Sequence, residues 1–349
     1  MSSRSTLFLA AVIAIIGLAG CQSAPRLETP LGPTDFYWGV NGHPFSAYPG
    51  IRLHEQIDAA AALGARYYRV NLRHSTPANR LQHLVTEGAR EDVRILPILM
   101  PPLPLADNDP ETLYEASYEF AEHWAGRMGD QIPVWELGNE LENFALLQPC
   151  ETRDDGRPYP CEWGTASGNG PLHYYGPRWE KVSAVLRGLS DGVHAGNPNA
   201  LRAMGTAGWG HTGAFDRMAD DGIEWDISVW HQYAGDNSRQ LERVAAHGRP
   251  IWVTELNGAY GSHEGNATNI ERLQPLLDWY IENAAQYDVR AIFIYELFDE
   301  PYWDTFEGEM GLFYLDPSPY GFDWVPGPIK PAGELYQLYT DRNPLTETP

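Results

Sequence analysis

The chain has 349 residues, 43% of them hydrophobic, with 47 acidic against 24 basic residues for a formal charge of −23. That is long for an average domain but ordinary for an α/β barrel, and the apolar fraction is enough for a large core. So acidic a surface argues against nucleic acid and anionic membrane surfaces as partners and suits a neutral or cationic ligand. The 12 Trp and 19 Tyr offer flat faces of the kind that stack on sugar rings, although most are expected to pack in the core or at its rim.

Taken in order, the chain starts with Arg4 and an almost unbroken apolar run from Leu7 to Leu18, too short to cross a bilayer as an ordinary helix. The run ends in Leu18-Ala19-Gly20-Cys21 and resembles a bacterial lipoprotein signal. The resemblance implies cleavage before Cys21, lipidation of its thiol, and a protein exported to the envelope with the lipid as its only membrane contact. Gln22, where an Asp would mark retention, points to the outer membrane. Residues 1–20 are therefore set aside as signal and 21–34, with three prolines, as a tether. In an oxidising compartment Cys150 and Cys161, 11 positions apart, read as a disulfide. Closing so short a loop restricts the unfolded chain by about 2–3 kcal/mol. Two thiols without histidines at ligand spacing do not make a metal site.

From residue 35 strand and helix patterns alternate. Asp35–Asn41 is a predicted strand, Leu53–Leu63 a helix stopped by Gly64, Arg66–Leu72 a strand and Ala78–Ala89 a helix. Val93–Met100 is a strand stopped by two prolines, and Glu111–Met128 a helix with Asp109 as N-cap and Pro110 at its first position. Ile132–Leu137 is the fourth strand, followed by a long loop with both cysteines and a helix over Pro177–Val193. Strands at Leu201–Thr206, Ile227–His231, Ile251–Glu255 and Val289–Leu297 then alternate with helices near Gly213–Asp220, Arg239–Ala246 and Ile270–Tyr287. A helix over Ala332–Tyr339 closes the series. Eight strands and eight helices predict a (β/α)8 TIM barrel, one catalytic domain over residues 35–341, with 342–349 a short tail.

Barrel chemistry sits at the C-terminal ends of the strands. Two of the predicted strands run into glutamates there, in Trp135-Glu136-Leu137-Gly138-Asn139-Glu140 and Ile251-Trp252-Val253-Thr254-Glu255. A carboxylate pair is what glycosidic-bond hydrolysis requires, and a lone glutamate in the first turn of a helix would need no such explanation. Asn41, Asn71, His231, Tyr233, Glu296, Asp299 and Glu300 fall at the same end, and Trp209 follows strand five. Asp226 begins its strand at the opposite end and reads as structural.

With those residues in view the chain resembles the retaining glycoside hydrolases of clan A. Its Trp135–Glu140 and Tyr295-Glu296-Leu297-Phe298-Asp299-Glu300-Pro301 motifs are most like family 39, with family 5 as neighbour. The resemblance implies Glu140 as acid/base, Glu255 as nucleophile and Asn139 as ligand of the sugar 2-hydroxyl. It also implies Arg69 beside the nucleophile and His231 and Tyr233 after strand six. Asn41, Trp209, Tyr295, Glu296 and Trp303 are further candidate substrate contacts; Tyr295 and Glu296 stand where many clan members have a tryptophan. An acid at Glu140 requires a raised pKa, and a nucleophile at Glu255 requires an ionised group. Strand alternation puts Arg69 on one face with Tyr67 and Asn71. Glu136 shares a face with Glu140 and lies about 13 Å deeper if the strand runs on extended; it is expected either to orient a buried base such as Arg69 or to face outward. The expected protein is a monomeric β-glycosidase acting on an extracytoplasmic poly- or oligosaccharide. The alternative is a non-catalytic carbohydrate-binding lipoprotein on a decayed barrel. No cofactor is expected, and no metal, because no strand carries a His-x-His pair.

Overall fold

A computed structural model describes residues 32, 34–319, 321 and 323–347. The signal segment, Cys21 and almost all of the tether lie outside the described residues. Eight parallel strands close into a barrel: β1 (Tyr37–Gly42), β2 (Tyr67–Leu72), β3 (Arg94–Leu99), β4 (Val134–Leu137), β5 (Leu201–Gly205), β6 (Ile227–Gln232), β7 (Ile251–Leu256) and β8 (Val289–Ile294). Closure is made by β1 against β8, with Tyr37 opposite Ala291 and Val40 opposite Ile294. Between and after the strands come α1 (Leu53–Ala62), α2 (Ala78–Arg90), α3 (Pro110–Met128), α4 (Gly176–Gly196), α5 (Gly213–Asp220), α6 (Ser238–Ala245), α7 (Asn266–Asn283) and α8 (Pro331–Gln337).

Alternation along the strands separates two apolar layers. Tyr67, Leu96, Val134, Ala203, Ile227, Val229, Trp252, Ala291 and Phe293 fill the barrel interior. The opposite faces, such as Tyr68, Val70 and Trp135, join the helices in a continuous outer core. Gly39 makes room for the interior aromatics, since a Cβ there would sit 2.4 Å from the Phe293 ring. Local signals hold where the side chains make the predicted bonds: the Asp109 carboxylate accepts from Thr112 N at 3.0 Å with Pro110 at the first turn of α3. Helices α3 and α4 close tightly because Gly188, Gly192 and Gly196 each meet an α3 carbonyl that a methyl group would strike.

Two departures concern the barrel mouth. The last strand ends at Ile294, three residues short of the predicted Leu297, because the chain leaves the sheet to pair elsewhere: Glu296 N donates to Met310 O and Leu297 N to Asn41 O. An antiparallel pair, β9 (Phe313–Pro317) and β10 (Trp324–Ile329), then forms before α8. Its Pro and Gly content reads as loop in the sequence, yet a two-stranded ribbon with free edges tolerates prolines that a central strand would not. The Cys150–Cys161 disulfide is present and ties the long loop between β4 and α4.

Candidate active site

Glu255 lies on β7 and Glu140 just beyond β4. After Leu137 the chain turns sharply, with Gly138 at φ 75° and Glu140 itself at φ 52°. A non-glycine residue held left-handed costs on the order of 1–2 kcal/mol and persists only where its surroundings enforce it. Because the strand stops at Leu137, the extended-strand spacing of about 13 Å does not apply between Glu136 and Glu140. The side chains of Glu136 and Asn139 meet on the same nitrogen of one arginine.

That arginine is Arg69 of β2, 2% exposed. Its five N–H donors are all committed: Nε and Nη2 to the two oxygens of Glu136 at 2.8 and 2.5 Å, Nη2 to Asn139 Oδ1 at 2.8 Å, and Nη1 to Asn41 Oδ1 and Glu255 Oε1, both at 2.7 Å. Glu136 therefore points inward as a bidentate partner, which decides between the two orientations open from its strand pattern. Arg69 thus stands beside Glu255, as the resemblance implies, and neither it nor Asn41 has a donor free for substrate. Arg69 has no donor left, and the Asn41 amide nitrogen is taken by the carbonyls of Thr254 and Ile294. Both line the cavity as supports of the groups that face it.

Glu255 is buried and is held on two sides, by Arg69 and by the Tyr233 hydroxyl, which donates to Oε2 at 2.5 Å. Burial alone would raise its pKa, but the charges of His231 and Arg69 and the hydrogen bonds from Tyr233 and Arg69 outweigh it and leave the carboxyl below its ordinary range. Glu140 is more open, with its side chain 30% exposed against 8% for Glu255. His231 joins them: its Nδ1 is 2.8 Å from Glu140 Oε1 and 3.5 Å from Glu255 Oε2. Burial pulls the imidazole pKa down, yet the two carboxylates pull harder and its net direction is upward. One carboxylate oxygen of each glutamate and a ring nitrogen of His231 lie within 4.8 Å of one another.

A cavity of about 650 Å³ opens over this set, within the usual range for small-ligand sites. Asn139, Glu140, Trp209, Tyr233, Glu255 and Tyr295 line it, as does Asn71. Asn139 spends its oxygen on Arg69, which turns its amide N–H groups to the cavity. Tyr295 stands edge-on to Tyr233 and to His43. Two predicted contacts are misplaced. Glu296 is fully buried behind the wall, its Oε2 accepting from Tyr48 at 2.6 Å and lying 3.2 Å from His43 Nε2; Trp303 is exposed beside Tyr302 and does not line the cavity. Both residues follow Ile294, where the chain leaves the sheet, so strand alternation no longer sets their faces: Tyr295 turns to the cavity and Glu296 lies behind it. Asp226 is structural as expected, paired with Arg202 at 2.9 Å.

Sequence reasoning passed over His43, Tyr260, Phe306 and Glu307, all on the cavity wall. It also missed Glu142, two residues past Glu140. The buried Glu142 carboxylate accepts from Ala207 N at 2.7 Å and lies 2.9 Å from His211 Nδ1, so it holds both shoulders of Trp209. The Gly208-Trp209-Gly210 triplet was the available signal, since glycines on both sides let the backbone take positive φ and present the indole to solvent.

Either Glu140–His231–Glu255 or His43–Glu296–Glu300 converges closely enough to ligate a cation. In the first, Arg69 already balances Glu255.

Fold and site together define a (β/α)8 barrel with two facing carboxylates at the C-terminal mouth. No protein-family model matches the chain, and no curated protein matches it in sequence. Solved structures do. The chain is similar to a family 1 β-glucosidase from Thermotoga maritima, at 13% identity and a TM-score of 0.62 over 89% of this chain and 98% of that one. A second structure, the Thermotoga maritima β-glucosidase in complex with deoxynojirimycin, gives 12% identity and a TM-score of 0.63 over 89% and 99%. The virulence factor SghA from Agrobacterium tumefaciens gives 14% and 0.60 over 90% and 98%. Identities this low establish the shared barrel.

Proposed function

We propose that the protein is a retaining β-glycosidase of clan A, working by double displacement. The observation that carries this reading is the opposition of Glu140 and Glu255 across His231, with one carboxylate oxygen of each within 4.8 Å of the other. Retention needs carboxyl groups about 5–5.5 Å apart, whereas inversion needs room for a water between them at about 6.5–9.5 Å. Glu255, kept ionised by Arg69, His231 and Tyr233, attacks the anomeric carbon while Glu140 protonates the departing oxygen. The Asn139 amide donates to the 2-hydroxyl. Once the glycosyl-enzyme forms, Glu255 is neutral, and Glu140 takes a proton from water to release the sugar. The β-glucosidase names of the similar structures support a β-linked substrate, and glucosides are the first to test.

The likeness to family 39 rests on the sequence motifs, and the anchor at Cys21 rests on the leader. Both belong to the proposal, as does an extracytoplasmic glycan as substrate.

The test is kinetic, on 4-nitrophenyl β-glycosides and oligosaccharides. Glu255→Ala is expected to abolish turnover, and azide to restore a glycosyl azide of opposite anomeric configuration. Glu140→Ala is expected to slow poor leaving groups by about 10²–10⁴ and to spare the first step with activated aryl groups. Sugar binding by the intact protein without turnover on any substrate would instead mean a decayed, binding-only barrel.

A further inference from the structure

The active-site cavity does not end at Trp209. The indole is 71% exposed, and it also lines a second cavity of about 340 Å³ built from Ser167, Asn169, Thr212, Arg239 and neighbouring residues of α6. Trp209 is thus a shared wall between the two. It is firmly set for so exposed a residue, with the Glu142 carboxylate gripping Ala207 N on one side and His211 on the other.

Polar and charged side chains edge the second cavity, and they are unequally occupied. Arg243 is spent on the Asn169 carbonyl and on Asp216 at 3.0 Å. Arg239, exposed on the same helix face four residues earlier, makes no hydrogen bond or ion pair among the described residues, with Asp236 acting on it only through space. A guanidinium without a hydrogen-bond partner in a chain of charge −23 is matched to a ligand rich in acceptor oxygens.

From this arrangement we infer that the groove past Trp209 is a subsite for the leaving-group side of a glycan chain. One ring stacks on the indole, and the next lies in the second cavity with its oxygens toward Arg239. The side follows from chemistry: the acid must touch the departing oxygen, and the Trp209 loop is tied to the loop that carries Glu140. Substrates are therefore oligosaccharides or polysaccharides with at least two units beyond the scissile bond.

This inference rests on the glycosidase reading for its direction, and the experiment separates the two. Laminari-, cello-, xylo- and chito-oligosaccharides of two to five units are assayed for turnover, and their binding is measured by calorimetry, with wild type, Trp209→Ala, Arg239→Ala and Arg239→Lys. For the series that is hydrolysed, kcat/KM is expected to rise from the dimer to the tetramer. Arg239→Ala should lower the tetramer-to-dimer ratio about tenfold, the scale of one charge-assisted hydrogen bond at a wet site. Arg239→Lys should recover part of it, and Trp209→Ala should depress all the longer substrates. A wild-type ratio near one, or a ratio that neither Trp209→Ala nor Arg239→Ala moves, overturns the subsite. Length-dependent binding that is lost in Arg239→Ala without any turnover keeps the groove and refutes hydrolysis. Absence of both binding and turnover across the series overturns both.

Discussion

Glu136 offers the sharpest test of how the site is held. It is 1% exposed, and its two oxygens receive Nε and Nη2 of Arg69. Replacing it with Gln keeps the shape and one acceptor oxygen but removes the charge and one charge-assisted hydrogen bond. It also leaves an amide N–H₂ facing a guanidinium. The lost bond is worth about 1.5–3 kcal/mol, and full disruption of a buried ion pair costs about 3–5 kcal/mol. Glu255 still balances Arg69 from the other side, so the expected loss is about 2–4 kcal/mol. For a domain of this size that corresponds to a fall in melting temperature of roughly 3–6 °C. The same substitution should reach the chemistry, because the displaced guanidinium also carries Glu255 and Asn139: a shift of a few tenths of an ångström at both predicts a drop in kcat/KM of about 10–100-fold. Differential scanning calorimetry and steady-state kinetics on one preparation read both. A Glu136→Gln protein that melts with wild type and turns over at full rate would refute the claim that Glu136 organises the site through Arg69.

Two further outcomes follow from buried carboxylates off the reaction path. Glu300 is pushed up to about 7, first by burial and then by the charge of Glu296, against the opposing His43. Its folded pKa lies above the ordinary 4.5, so the native state keeps a proton that the unfolded chain releases. Stability is then lost as pH rises from about 4.5 to about 7. Glu300→Gln should remove that loss and melt about 2–4 °C above wild type at pH 8, after discounting for partial exposure, with little difference at pH 4.5; parallel pH profiles would count against it. Glu142→Gln should loosen the Trp209 loop while leaving the barrel intact. The expected sign is amide exchange across residues 206–213 faster by about tenfold, with strand amides unchanged, and equal exchange in both proteins would remove Glu142 from its positioning role.

Much of the architecture was legible from local patterns. The alternation of strand-type and helix-type runs, Asp109-Pro110 at the start of α3 and the Gly64 stop come from interactions a few residues long, and sequence reports such interactions directly. Glu140 and Glu255 could be singled out because barrel strands end where their apolar runs end. Strand periodicity also put Arg69 and Asn71 on one face with Tyr67. By itself, then, the sequence determined the barrel and the chemical type of the groups at its mouth.

Only the tertiary structure decided which of those groups meet. Period-two alternation gives a side chain's face, but not the partner that arrives from another strand. Arg69 bonds to Glu136, Asn139, Asn41 and Glu255 because β1, β2, β4 and β7 converge on one guanidinium. Past the last ladder residue that periodicity lapses. The left-handed turn at Gly138 drew Asn139 back towards Glu136, and departure from the sheet after Ile294 sent Tyr295 to the cavity and Glu296 behind it. Trp209 gained its position from a carboxylate 67 residues earlier in the chain. Such contacts depend on backbone direction at single loop residues and on distances across the barrel, neither of which is carried by the composition of any one segment.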